Sequence, residues 1–145
     1  MEPARIASLE DVRLLDLPLI SGDRSWLVVL EDQGLGLHLR RFFAVGATEA
    51  VQRGNHAHKA CTQVLFSLIG RIAVTCDDSE SRQDFLLDGP RQALVIPPSI
   101  WASQHYAEGA ILGVLCDRVY EAEDYLRDYQ AFVSYRAGLT FQKGA

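Results

Sequence analysis

Val64–Ile69 (VLFSLI), Gly70, Arg71–Cys76 (RIAVTC) and the pair Asp77-Asp78 decide the fold. Each apolar run is too short for a typical helix, and turn-forming residues close both. They are rich in β-branched and aromatic side chains, which suit a pleated surface. The pattern repeats in both directions. Phe85–Leu87 runs into Asp88-Gly89-Pro90, Ala93–Ile96 into Pro97-Pro98, and Ala110–Leu115 (AILGVL) follows Glu108-Gly109. Towards the N-terminus, Trp26–Leu30 (WLVVL) follows Ser21-Gly22-Asp23, and Leu35, Leu37 and Leu39 alternate with Gly36, His38 and Arg40. That alternation predicts a half-buried strand. About six to nine strands at roughly 8–12-residue spacing predict an antiparallel barrel or double-sheet sandwich. The segment Glu121–Phe132 differs. Tyr125, Tyr129 and Phe132 fall on one face at helical spacing, which predicts a short C-terminal helix.

The chain has 145 residues, 48% of them hydrophobic and 23% charged, so a single globular domain over 1–145 is expected. No apolar run approaches the ~20 residues of a membrane helix, and the acidic start does not read as a secretory signal. Net charge is −5, which argues against a nucleic-acid partner because phosphate backbones need a basic face. Cys61, Cys76 and Cys116 are odd in number and lack CxxC spacing, so they read as reduced packing thiols in a cytoplasmic protein.

Chemistry concentrates in Arg53-Gly54-Asn55-His56-Ala57-His58-Lys59, which holds two of the four histidines. On a strand, residues two apart share a face, so both imidazoles project together. Three roles compete for such a pair: metal ligation, proton transfer near neutral pH, or none.

The spacing from His56 through His58 and Gln63 to Gly70 resembles the first cupin motif, in which HxH, a glutamate and a glycine mark two strands of a small jelly-roll barrel. Gln63 stands at the carboxylate position, and an uncharged amide binds a divalent cation weakly. The second cupin motif would bring another histidine shortly after its turn. Here Pro97-Pro98-Ser99 is followed by Ile100-Trp101-Ala102, and His105 comes three residues late. The ligand set is incomplete, so no metal is expected.

Arg53-Gly-x-His-Ala-His-Lys59, the IPPSIW run at 96–101 and Val119–Arg127 (VYEAEDYLR) together resemble the dTDP-sugar 3,4-ketoisomerases of deoxysugar biosynthesis, from about Ser21 to Phe132. The resemblance implies an all-β, cupin-type antiparallel jelly-roll barrel. It implies a metal-independent isomerase that takes dTDP-4-keto-6-deoxy-D-glucose to its 3-keto isomer through an enediol, with no cofactor, ahead of amination. By motif position, His56 and His58 are the catalytic pair. Arg53 beside them, Arg24 in the Gly22–Ser25 turn, and Arg40 in Arg40-Arg41-Phe42-Phe43 are the expected binders of sugar or diphosphate. Phe43 stands where the family's Arg-x-Tyr-Tyr strand has a tyrosine. Gln63 is expected to hydrogen-bond a sugar hydroxyl or a histidine, and Trp101 to pack on the nucleoside. A homodimer is also implied. Two alternatives remain beside this reading: a dTDP-sugar-binding cupin without turnover, and a metal-dependent cupin enzyme. A 3,5-epimerase fits less well, because that chemistry pairs one histidine with a tyrosine across the ring.

Overall fold

A computed structural model describes residues 6–144, the side chains of 140–144 excepted. The chain runs through β1 (Arg13–Asp16), β2 (Leu19–Ser21), β3 (Trp26–Val28), a one-turn helix α1 (Asp32–Leu35), β4 (Arg41–Gly46) and β5 (Val51–His58). It continues through β6 (Gln63–Ile69), β7 (Arg71–Asp77), β8 (Arg82–Asp88), β9 (Gln92–Ile96), β10 (Trp101–Tyr106), β11 (Ile111–Cys116), the two-residue β12 (Tyr125–Leu126) and α2 (Tyr129–Gly144). Two five-stranded antiparallel sheets, ordered β1-β9-β6-β11-β4 and β12-β5-β10-β7-β8, face each other as a jelly-roll sandwich, and β2-β3 forms a separate hairpin.

Alternation along the strands builds the core. Leu65, Ile72, Val74, Leu94, Leu112 and Val114 point inward and belong to one buried cluster. Val64 and Phe66, on the other face of β6, join a second cluster outside the first sheet, with Leu35, Leu37, Leu39 and Val95. The expected strand over Leu35–Leu39 is therefore corrected. Leu35 ends α1, Gly36 turns the chain at φ 69°, and Leu37 and Leu39 follow outside any strand ladder, packed on the second cluster. The alternation identifies a buried face correctly, but no neighbouring strand supplies ladder hydrogen bonds. Short pairings such as β1 and β12 bring the described strands to twelve, above the expected six to nine.

The C-terminal helix is also shifted. Ala122–Asp124 form a 3-10 turn, and Tyr125 and Leu126 pair with His58 and Ala57. The helix starts only at Tyr129, where the Asp128 carboxylate accepts the Ala131 N–H at 2.9 Å. Tyr125 therefore leaves the expected helical stripe for the sheet. Tyr129 and Phe132 keep theirs and pack on Trp101, with ring centroids 5.3 and 5.6 Å away. All three cysteines are buried and unpaired.

Candidate active site

The inner face of β5 is set by a bulge. The register pairs Arg53 with Gln104 and Gly54 with Ser103, then jumps to His56 against Ala102, leaving Asn55 without a partner. Gly54 (φ 85°) and Asn55 (φ 58°) both lie in the left-handed region, which glycine and asparagine tolerate best. A regular strand would point residues 53 and 56 to opposite faces. The extra residue restores them to the same one.

The result is a cavity of about 220 Å³ between the sheets, lined by Arg41, Phe43 and Val45 of β4, Arg53, Gly54 and His56 of β5, Gln63, Gln104, Val114, and Tyr125 and Arg127 at β12. A larger hollow of about 410 Å³ near Leu15, Val29, Leu30 and Leu35 is mainly apolar and lacks a paired acid and base. The chemistry favours the smaller one.

His56 and His58 meet edge to face, 5.0 Å between ring centroids. Tyr125 lies against both, at 5.2 Å from His56 and 4.4 Å from His58. Burial pushes the His56 imidazole down to about 4, with His58 and Arg127 adding to the effect and the Gly54 backbone opposing it. Burial also lowers His58, against the hydrogen bond and charge of Asp124, whose Oδ2 stands 2.7 Å from His58 Nδ1. Both rings are therefore neutral at pH 7. Only His56 lines the cavity; His58 stands behind it, 7% exposed.

Three guanidinium-bearing side chains, Arg41, Arg53 and Arg127, converge on this space. Arg41 lies over the Phe43 ring at 4.7 Å and Arg127 over the Tyr125 ring at 4.2 Å. Stacking holds each guanidinium by its face and leaves its N–H edge free for an oxyanion. Phe43 thus serves as a platform for Arg41. Gln63 is buried, and its amide donates to Cys116 Sγ at 3.6 Å.

The residues do not fit the cation site of a metal cupin. Gln63 replaces the carboxylate, and Ala102 faces His56 across the ladder. His58, Cys61 and Asp124 bring potential donors within 4.8 Å of one another, yet none of them lines the cavity, and the histidine and carboxylate already bond each other.

Residues 10–137 match the FdtA family, described as WxcM-like, C-terminal. The TDP-4-oxo-6-deoxy-alpha-D-glucose-3,4-oxoisomerase of Aneurinibacillus thermoaerophilus is 30% identical over 134 residues, which cover 90% of this chain and 96% of that enzyme. This chain belongs to the WxcM-like family. The sugar 3,4-ketoisomerase QdtA of Thermoanaerobacterium thermosaccharolyticum, solved in complex with TDP, superposes with a TM-score of 0.85 at 25% identity, covering 90% of this chain and 98% of that one. The TDP-quinovose 3,4-ketoisomerase WlaRB of Campylobacter jejuni gives 0.81 at 28% identity, with coverage of 86% and 98%. These relatives are isomerases, and the WxcM-like chain described here is an isomerase of the same barrel class.

The six expected site residues besides the histidines divide evenly between the cavity and the outside. Arg53, Phe43 and Gln63 line the WxcM-like cavity with His56. Trp101 does not: it sits on the outer face of β10 against α2. Arg40 is exposed just ahead of β4 and Arg24 is exposed between β2 and β3, and neither lines the cavity within one chain. The alternation of β4 turns Arg41 inward in place of Arg40. Sequence reasoning missed Arg41, Gln104, Asp124, Tyr125 and Arg127. The last three stand in the VYEAEDYLR motif, but the helical reading of that segment hid their placement beside β5.

Proposed function

We propose that the protein is the 3,4-ketoisomerase of a TDP-linked 4-keto-6-deoxyhexose, TDP-4-keto-6-deoxy-D-glucose being the first candidate. The observation that carries the reading is His56, a neutral imidazole at the wall of a cavity ringed by three arginines. Arg41, Arg53 and Arg127 match the two negative phosphates of the nucleotide. Bringing a diphosphate against them offsets the positive charge that disfavours protonated His56 and raises its basicity when substrate is bound.

The chemistry then balances without a redox partner. His56 takes the proton from C3; the C–H electrons form the C3–C4 double bond and the C4 carbonyl oxygen becomes an enediolate oxygen. The C3 hydroxyl gives up its proton as the C4 oxygen gains one, His58 and Tyr125 being the neighbouring groups able to pass protons. C4 then takes a proton from the His56 imidazolium, directly or after its exchange with solvent, as the C3 carbonyl forms, and His56 returns to its neutral state. The product is an isomer of the substrate, a 3-keto sugar suited to later amination. General acid–base transfer of this kind is worth about 10²–10⁴ in rate. His56→Asn and His58→Asn should each lower kcat by at least about 10²-fold, with circular dichroism unchanged. Wild-type rates in both variants would remove the pair from the reaction.

A homodimer in the cytoplasm is part of the same reading. Ile20, Trp26 and Leu27 on the β2-β3 hairpin and Phe42 on β4 are each more than half exposed, a large apolar display for a monomer. Their burial in a second copy would carry Arg24, at the turn of that hairpin, towards the partner's surface. Light scattering of the wild type and of Trp26→Glu tests it: a dimer that becomes a monomer supports the interface, and a wild-type monomer refutes it. Among the described residues no helix is long and apolar enough to cross a membrane.

A further inference from the structure

His58 is more than nine-tenths buried, and its Nε2 has no hydrogen-bond partner among the described residues. Its Nδ1 is held by Asp124, itself nearly as buried, with side-chain exposures of 8% and 9% for the two. The carboxylate is fixed from several sides. Oδ2 meets Nδ1 at 2.7 Å, while Oδ1 accepts the Ala60 N–H at 2.6 Å. The Asp124 carbonyl accepts the Lys59 N–H at 2.8 Å, and the next residue, Tyr125, is the ladder partner of His58. The 3-10 turn ahead of β12 is thereby tied to His58 and to the two residues that follow it.

An ionised carboxylate only accepts hydrogen bonds, so the proton of the neutral ring must sit on Nδ1. The Nε2 lone pair is then open and directed away from Asp124, and the His56 ring lies edge to face beside the His58 ring. We propose that Asp124 is a positioning residue for the isomerase reaction, holding His58 as the Nδ1–H tautomer with Nε2 free to accept a proton next to His56. The proposal rests on the ketoisomerase reading above and gives His58 a definite part in it. Proton storage at Nε2 makes the ring an imidazolium, which the adjacent carboxylate stabilises.

The charged and titratable surroundings of His58 are few. His56 shares its strand, Tyr125 and Arg127 come from β12 and the chain just beyond it, Arg41 from β4, and Cys61 follows β5. Asp124 raises the ring while burial, Arg127 and Arg41 lower it. Loss of the carboxylate charge therefore moves the acidic limb of the rate profile to lower pH.

Asp124→Asn is close to isosteric and separates the two jobs of the carboxylate. Its carbonyl can keep the Ala60 N–H, but its amide donates to Nδ1 and drives the proton to Nε2. The experiment uses ¹⁵N-histidine-labelled full-length protein, with His58 assigned from the spectrum of His58→Asn. Long-range ¹H–¹⁵N correlation at pH 7.5 should show Nδ1–H in the wild type and Nε2–H in Asp124→Asn. In the same variant kcat on TDP-4-keto-6-deoxyglucose should fall by at least about 10²-fold with KM within about threefold, the pattern of lost proton transfer. Asp124→Glu should keep Nδ1–H and recover part of kcat. A wild-type His58 carrying its proton on Nε2, or Asp124→Asn with wild-type kcat, overturns the proposal. If Asp124→Asn does not fold, the wild-type tautomer and Asp124→Glu decide. The NMR result does not depend on turnover, so an Nδ1–H tautomer in a protein inert towards the nucleotide sugar would sink the ketoisomerase reading and leave the Asp124–His58 pairing standing.

Discussion

Arg53 and His56 stand three residues apart on one strand and line the same cavity, because Asn55, after Gly54, is an extra residue with no ladder partner. The guanidinium and the imidazole reach the same cavity only through that extra residue. A Cβ on Gly54 would sit 3.1 Å from the Ala102 carbonyl oxygen at φ 85°, so Gly54→Ala must strain the bulge or undo it. The variant should lose about 1–3 kcal/mol of stability, read by urea unfolding. Its KM and kcat should both worsen as Arg53 and His56 shift relative to each other.

Tyr125 touches both imidazole rings, and Phe43 leaves no phenol on the β4 side of the cavity. Among the described residues that line the cavity, Tyr125 is the one tyrosine. Tyr125→Phe should lower kcat by about 10²-fold, measured with saturating TDP-4-keto-6-deoxyglucose. An unchanged kcat would take the phenol out of the proton path.

The depressed His56 imidazole also predicts how stability varies with pH. Folded, it protonates near 4; unfolded, near 6.5. Between those values the unfolded chain binds more protons, so stability falls as pH drops through that window and is unaffected by this group above it. Melting temperatures at pH 7.5 and 4.5 should fall further apart for the wild type than for His56→Asn. Equal differences would mean that His56 is not buried as described.

Trp101 separates support from chemistry. Its ring packs on Tyr129 and Phe132, outside the barrel. Trp101→Ala should cost about 3 kcal/mol, the low end for a tryptophan because the ring is only partly buried, and leave KM for the nucleotide sugar unchanged at a temperature where the variant is folded. A raised KM without loss of stability would return Trp101 to the binding site.

The legible and hidden parts of the molecule divide along physical lines. Apolar runs such as Val64–Ile69 and Arg71–Cys76 announce strands because alternation and turn residues are local. The His56–His58 pair is equally plain, since two residues apart on a strand means one face. The strand misread over Leu35–Leu39 has the right buried face, and only the missing ladder partner, which is non-local, distinguishes it. The same holds at 121–132. Tyr125 has helical spacing to Tyr129 and Phe132, but its backbone pairs with His58, 67 residues earlier in the chain. Asp124, Tyr125 and Arg127 enter the site through that long-range pairing, and no pattern within the segment signals it. Arg40 and Arg41 show a one-residue ambiguity that only the phase of β4 resolves.

Metal-free proton transfer at C3 by His56 is read from proton NMR of TDP-4-keto-6-deoxyglucose in D2O, with enzyme pretreated with chelator. The C3 proton signal should disappear and a 3-keto species with deuterium at C4 should grow, both absent with His56→Asn. A substrate spectrum unchanged overnight despite saturable binding, or activity restored only by an added divalent metal, would contradict it.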